Sequence, residues 1–423
     1  MKLQATWTRI KRHPLARVGP GWVTGVADDD PSGIVTYSQA GAQFGLNMLW
    51  TMPITYPFMA TIQLLCAQIG RVTGRGLAAN MKNNFPPVVL FFLVLMLLIA
   101  NILNIAADLA AMGEVAHLVT GINWHIMTAT FVVITLTLQI LLPYHRYVYF
   151  LKWLTLSLLS YAAVLFTVHV PWDQVLFSTF LPKLTLNSET AAMVVGIFGT
   201  TISPYLFFWQ ASQEVEDMNI HSGKALIDEN TLVGKSEIRR MQWDTWSGMF
   251  YSNISAYFII LTTGVTLNAM GIKDITTAAQ AAEALRPLAG DFAYLLFALG
   301  ILAVGLMAVP VLAGSAAYAL SEVLGWRSSL EDSVLQDKKF YSIIAISVLG
   351  AIVIQYLPIN PMKALFWSAV INGVVAVPLM VAILILASRS SVMGMYVASK
   401  SILAIGWLAT GIMALAATLM FII

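Results

Sequence analysis

Residues 28–33 read Asp-Asp-Asp-Pro-Ser-Gly, set between the apolar run Gly19 to Ala27 and a second run that resumes at Ile34. Where the flanking runs lie in lipid, each carboxylate at the bilayer centre costs about 2.5–3.5 kcal/mol even on a lenient insertion scale. Three in a row therefore need a purpose. Pro31 removes a backbone donor and crowds the preceding turn, which frees carbonyls near Ala27. Such a defect persists only where it is buried in protein or lines a water-filled cavity. Asp28, Asp29 and Asp30 beside open carbonyls mark a candidate substrate site; they disfavour an anionic carboxylate there, whereas a cationic amine could be accepted. A plainer reading starts the helix at Gly33 with the aspartates as an aqueous N-cap. Against it, Gly33 to Gly45 is too short to span, and Val18 to Ala27 is apolar enough to form a half-helix.

A second interruption lies at Ser203-Pro204, between the Gly/Thr-rich stretch Val194 to Thr201 and the aromatic stretch Tyr205 to Trp209. Proline in a membrane helix is often a simple kink, so its position carries the weight. Asp108, in a third apolar run, is a candidate proton relay or a paired structural acid. Gln210 and Gln213 are candidates to line an inner vestibule, with Glu214, Glu216 and Asp217 following at its mouth, most simply as a solvated helix end. Asn101, Asn104, Glu114, His117, Asn253 and Asn372 read first as packing residues, because Asn and Gln commonly glue membrane helices together. The aromatic run 205–209 reads as packing, and His221 as an exposed loop residue.

These groups must be positioned by membrane helices. The chain has 423 residues, 58% hydrophobic and 10% charged, far from the balance of a soluble domain. Apolar stretches of about 20 residues, the length that crosses a ~30 Å hydrocarbon core, recur near 20–44, 47–70, 88–118, 124–143, 148–170, 189–212, 245–269, 291–321, 340–357, 363–387 and 399–421. We expect one all-α membrane domain over residues 1–423 and no separate soluble domain. Of the 23 Lys and Arg residues, only Lys183, Lys273, Arg286 and Lys363 fall outside when the N-terminus is placed in the cytoplasm. The inside group then includes Lys2, Arg9, Lys11, Arg12, Arg17, Arg146 and Lys152, and the positive-inside rule supports eleven spans with the C-terminus outside. Glu214 to Asp244 becomes a cytoplasmic loop. The basic N-terminus lacks the pattern of a removable signal peptide. Cys66 has no partner, which excludes disulfides within the chain. With ten spans divided into halves of about 19–170 and 189–387, the two interruptions fall at the same place in each half. Paired Gly/Pro breaks of this kind point to an inverted-repeat transporter with its site at the midplane, the eleventh span, 399–421, being an appendage.

The stretch Gly19-Pro20-Gly21 through Asp30-Pro31-Ser32-Gly33, then Gln39-Ala40-Gly41-Ala42-Gln43-Phe44-Gly45 and Leu49-Trp50, resembles the first span of the Nramp divalent-metal transporters. Ile62-Gln63, Gly70, Thr73-Gly74-Arg75 and Ala107-Asp108-Leu109-Ala110 are similar to the family's second and third spans. The resemblance implies a LeuT-type inverted 5+5 repeat. It also implies a metal site formed by Asp30, Ser203 and the backbone at Ala27 and Thr200, with Gly33, Asp28 and Asp29 beside it. The departures are specific. The family's Asp-Pro-Gly-Asn is here Asp30-Pro31-Ser32-Gly33, so Gly33 replaces the Asn ligand. Its Met-Pro-His is here Ser203-Pro204-Tyr205, and its acid three residues after Asp108 is Ala111.

A thioether favours transition metals over hard cations, and Ser203 removes it. An oxygen-only site suits Mg²⁺, which keeps several waters, and Gly33 leaves space for them; the expected cargo is a divalent cation, Mg²⁺ ahead of Mn²⁺. Tyrosine ordinarily titrates near pH 10 and Ala111 not at all, so Tyr205 and Ala111 argue against proton coupling. Two alternatives stay open: an organic or amino-acid solute on the same fold, and a non-transporting receptor. The chain has no His-Glu-x-x-His, Gly-x-Ser-x-Gly or phosphate-loop motif, so no enzyme, cofactor or nucleic-acid partner is expected. The expected surroundings are a lipid bilayer, most simply the inner membrane of a prokaryote, and the oligomeric state is open.

Overall fold

The computed structural model describes residues 19–141, 158–181, 187–221, 224–228, 231–330, 334–354 and 360–422. The N-terminal basic residues, Arg146, Lys152, Lys183 and the first part of the expected span 148–170 lie outside the described residues. The main helices are α1 (Pro20–Ala27), α2 (Pro31–Phe44), α3 (Thr51–Thr73), α4 (Leu77–Asn84), α5 (Pro87–Thr120) and α6 (Trp124–Leu141) in the first half. They continue with α7 (Leu159–Val164), α8 (Trp172–Phe180), α9 (Ser188–Thr201), α10 (Pro204–His221) and α11 (Thr231–Val265). The last are α12 (Ala278–Ala282), α13 (Ala293–Leu324), α14 (Lys338–Ile354), α15 (Pro361–Ser388) and α16 (Lys400–Ile422).

Within the described residues the expected spans fall on helix, that over 148–170 only at Leu159–Val164. The first and sixth are both divided, α1 from α2 and α9 from α10, each at the proline read from the sequence. Among the described residues six spans are long and apolar enough on composition alone to cross a membrane. The polar helix α3 is not among them, and the reason is burial: most of it, including Gln63, Gln68 and Arg71, faces protein. A helix enclosed by others has no need of an apolar surface on every side.

α5 shows how a lipid-facing helix aims chemistry inward. Val88, Phe91, Phe92, Leu95 and Ile99 recur at helical spacing on its exposed side. Leu97, Asn101, Asn104 and Asp108 run down its buried side, at the three- and four-residue steps that share one face. Close approach at small residues holds the broken helices. A Cβ on Gly25 would collide with the backbone of Gly248 on α11, and one on Gly199 with Ala369 and Gly373 on α15. Membrane helices gain from such backbone-to-backbone packing because lipid supplies no hydrophobic drive between them.

The sequence expectation of a cytoplasmic loop over 214–244 is corrected. α10 continues through its polar residues to His221, and α11 begins at Thr231. Ion pairs join the two extensions: Arg240 lies 2.8 Å from Glu214, 3.0 Å from Glu237 and 3.8 Å from Asp217. Glu214 is fully buried, so it is not the solvated helix end expected for it. Glu216 accepts from the Tyr318 hydroxyl at 2.6 Å and from Leu330 N at 2.8 Å.

Candidate functional site

α1 ends at Ala27, Asp28 and Asp29 form the bend, and Asp30 caps α2. Its Oδ1 accepts from Gly33 N at 2.7 Å and from the Ser32 hydroxyl at 2.7 Å. An aspartate in extended conformation just before Pro31 satisfies amides that the new helix leaves open, so the motif itself fixes the carboxylate. Its other oxygen faces α5. Asn104 Nδ2 donates to Asp30 Oδ2 at 2.9 Å and lies 3.3 Å from Asp108 Oδ2. Asn372 Nδ2, on α15, donates to Asn104 Oδ1 at 3.2 Å.

The three aspartates do not converge. Asp28 and Asp29 turn to α11, where the Ser252 hydroxyl lies 2.6 Å from Asp28 Oδ2 and 3.0 Å from Asp29 Oδ1. One hydroxyl proton serves one of these acceptors at a time. Among the described residues, Asp28 Oδ1, Asp29 Oδ2 and Asp108 Oδ1 are buried without a hydrogen-bond partner. Among the described residues, no three His, Cys, Asp or Glu side chains form a group that could hold a metal ion. Asp30 with Asp108, and Asp28 with Asp29, are thus two pairs on opposite sides of the break.

At the second break, Ser203 Oγ donates back to Thr200 O at 2.7 Å and Gly199 O at 3.2 Å. Tyr205 reaches across to the first break and donates its hydroxyl to Ala27 O at 3.3 Å. The carbonyls that the interruptions free at Ala27 and Thr200 are therefore held by hydroxyls from α10 and its cap. Thr200 Oγ1 is buried without a partner, and a Cβ on Gly33 would meet it at 3.0 Å and Asp30 Oδ1 at 3.4 Å. The space beside Gly33, expected for water, is thus bounded by the Thr200 hydroxyl.

Gln210 is fully buried, and neither of its amide atoms has a partner. Gln213 Nε2 donates to Tyr318 Oη at 3.2 Å. The vestibule expected along these residues is closed in this conformation. Asp28, Asp29, Asp30, Asp108, Ser203 and Tyr205 are all at most 1% exposed, so the site is occluded from both ends. Asn104 and Asn372 do join helices, in keeping with packing, and the structure adds that Asn104 does so through Asp30; Ser252 was not singled out. Asn104 stands four residues before Asp108, a spacing that places both on one helix face, and this signal was available. Ser252 had none.

The protein-family model described as natural resistance-associated macrophage protein-like (Nramp) matches residues 21–423. A divalent metal cation transporter MntH from Klebsiella pneumoniae is 25% identical over 410 residues, covering 94% of this chain and 91% of the relative. MntH from Acidiphilium cryptum is 27% identical over 407 residues, covering 90% and 84%. Among solved structures, an Eremococcus coleocola manganese transporter superposes with TM-score 0.77 at 16% identity, over 96% of this chain and 85% of that one. A nucleobase-cation-symport-1 family transporter in a closed conformation superposes with TM-score 0.55 at 13% identity, over 95% and 93%.

Proposed function

The chain belongs to the Nramp family, whose members are transporters rather than enzymes, and we propose that it moves a divalent metal cation through the membrane by alternating access, Mg²⁺ ahead of Mn²⁺. The observation that carries this reading is the charge imbalance at the break. Asp30 with Asp108 on one side of the break and Asp28 with Asp29 on the other are all buried, and among the described residues their hydrogen bonds come from hydroxyls, a carboxamide and a backbone amide, with no Lys, Arg or His. Buried carboxylates without a compensating cation are costly, and a transported ion compensates them. The named relatives at 25–27% identity are divalent metal cation transporters, which supports the same class of cargo here.

The preference for Mg²⁺ follows from ligand hardness. Ser203 offers oxygen where a thioether would select transition metals, and Asp30 with the Ala27 and Thr200 carbonyls completes a set of hard donors. Tyr205 closes the Ala27 carbonyl and must withdraw when the ion arrives. With Tyr205 and Ala111 in place of titrating groups, transport runs on the ion's own gradient without a proton, with Asp108 serving the ion as a carboxylate. The two halves, about 19–170 and 189–387, act as the rocking repeats, with the N-terminus cytoplasmic and the C-terminus outside.

One observation favours a second reading. Met112, one turn past Asp108, packs beside Pro31 in the notch at Gly305, which brings a sulfur near the break and would favour Mn²⁺. Uptake into proteoliposomes with Mg²⁺, Mn²⁺ and Ca²⁺ side by side, with internal pH recorded, separates the two. We expect Mg²⁺ entry at millimolar concentration without a pH change. Tight Mn²⁺ uptake indifferent to millimolar Mg²⁺, and weakened by Met112→Leu, would establish the second.

A further inference from the structure

Asn104 ties three helices together at the break. Its Nδ2 lies 2.9 Å from Asp30 Oδ2 and 3.3 Å from Asp108 Oδ2, and its Oδ1 accepts from Asn372 at 3.2 Å. All four side chains are at most 1% exposed, so water does not compete for these bonds. A carboxamide nitrogen between two carboxylates does weakly what a cation does strongly: it places positive charge between them. When an ion arrives at Asp30, the Nδ2 donor presents the wrong pole to it. The terminal torsion of Asn is broad and roughly two-fold, and turning it brings Oδ1, a hard oxygen ligand, to the same place while Asn372 follows. The first break itself offers no such group. Gly33 has no side chain, and a Cβ there would already meet Thr200 Oγ1 at 3.0 Å.

We propose that Asn104, positioned by Asn372, is the selectivity-determining residue of the cation site, supplying from α5 the carboxamide oxygen that the first break lacks at Gly33. The two amides also explain how Asp30 and Asp108 stay close in the absence of ion, each sharing the same donor. A neutral carboxamide oxygen suits both ions, but Mn²⁺ also accepts the Met112 sulfur beside the break, so removing the oxygen costs Mg²⁺ more than Mn²⁺. This inference rests on the reading that the chain carries a divalent cation, and its failure is distinguishable from the failure of that reading.

The test is concentration-dependent uptake of Mg²⁺ and of Mn²⁺ by the full chain in proteoliposomes, for wild type, Asn104→Ala and Asn372→Ala. Loss of an orienting partner of a metal site typically costs 10- to 100-fold in affinity. We expect Asn104→Ala to raise KM for Mg²⁺ about tenfold or more, in line with that range, with less change for Mn²⁺ and a largely retained maximal rate. Asn372→Ala shifts KM in the same direction by a smaller factor. A merely structural role would instead lower the amount of active transporter and leave KM and the Mg²⁺/Mn²⁺ ratio as in wild type, and that result overturns the proposal. Where Asn104→Ala yields no folded protein, Asn372→Ala decides alone: an unchanged KM and ratio overturns the proposal. Wild type that moves neither ion removes the transport reading itself, and this inference with it.

Discussion

Asp30 differs from its two acidic neighbours in what surrounds it: both its oxygens already accept, from Ser32, Gly33 and Asn104, whereas Asp28 and Asp29 share one serine. That difference predicts different consequences on removal. Asp30→Ala abolishes saturable divalent-cation binding, and equilibrium binding of Mg²⁺ to the purified protein checks it. Ser252→Ala takes from Asp28 and Asp29 the hydroxyl that each faces. Leaving a buried polar group unsatisfied costs roughly 1–3 kcal/mol, so this variant should melt several degrees lower in detergent, and a divalent ion should restore less of the loss than it adds to wild type through Asp30. Asp30 was singled out among the three acids by the family resemblance at Asp30-Pro31, whereas its capping of α2 through Oδ1 was not read from the sequence. Ser203 and Tyr205 were legible as members of a break, though not their bonds to Thr200 O and Ala27 O. Asn104 joins α5 to α2 through Asp30 and to α15 through Asn372, the bridging usual for asparagine in a membrane helix, while its contact with Asp108 on its own helix was not read. Ser252 was illegible, since serine in such helices commonly bonds its own backbone.

Among the helices, the interruptions were the strongest signal, because proline forbids a continuous ladder whatever surrounds it. Their packing was not visible, since it depends on which glycine meets which backbone. Gly25 lies against Gly248, and Gly199 against Gly373. In both cases a methyl group would meet backbone, which cannot turn aside as a flexible side chain can. Overpacking of a close contact costs about 1–3 kcal/mol and sometimes more. Gly25→Ala and Gly199→Ala should therefore each lower the melting temperature, while Gly411→Ala, with open space around it, should not; fluorescence-detected melting compares the three. The polar stretch 214–244 was misread as a loop because its charges are many. The charges are instead used in pairs, with Arg240 holding Glu214 and Glu237, and Asp244 accepting from Gly19 N at 3.1 Å and Gly21 N at 2.7 Å to cap α1.

The whole molecule is held closed at both ends of the broken helices. At one end stand the Arg240 ion pairs and the Asp244 cap. At the other, Gln39 donates to Lys273 O at 3.0 Å and accepts from Ile275 N at 2.8 Å, and Gln43 donates to Glu189 at 3.2 Å. On the alternating access proposed above, one set parts while the other holds. Cys66 is the single cysteine in the chain and is fully buried, so an introduced thiol can report opening. Gln210→Cys in a Cys66→Ala background should label slowly, and adding Arg240→Ala should speed the labelling by weakening the first set; equal rates would show that this set does not hold the end shut. The all-helical succession and its two breaks were legible because hydropathy and the prolines mark them along the chain. The occlusion was not, because most of its bonds, those of Asp244 to Gly19 and Gly21, of Gln39 to Lys273 and Ile275 and of Gln43 to Glu189, join residues more than a hundred positions apart. The central claim, an oxygen-and-amide site at the first break that takes a hard divalent cation, is tested most directly by titrating the purified protein and its Asp30→Ala variant with Mg²⁺ and Mn²⁺ in a calorimeter. The account predicts saturable Mg²⁺ binding that is lost in the variant and is stronger than, or at least not displaced by equal concentrations of, Mn²⁺. Mn²⁺ binding that excludes Mg²⁺, or Mg²⁺ binding that survives Asp30→Ala unchanged, would contradict it.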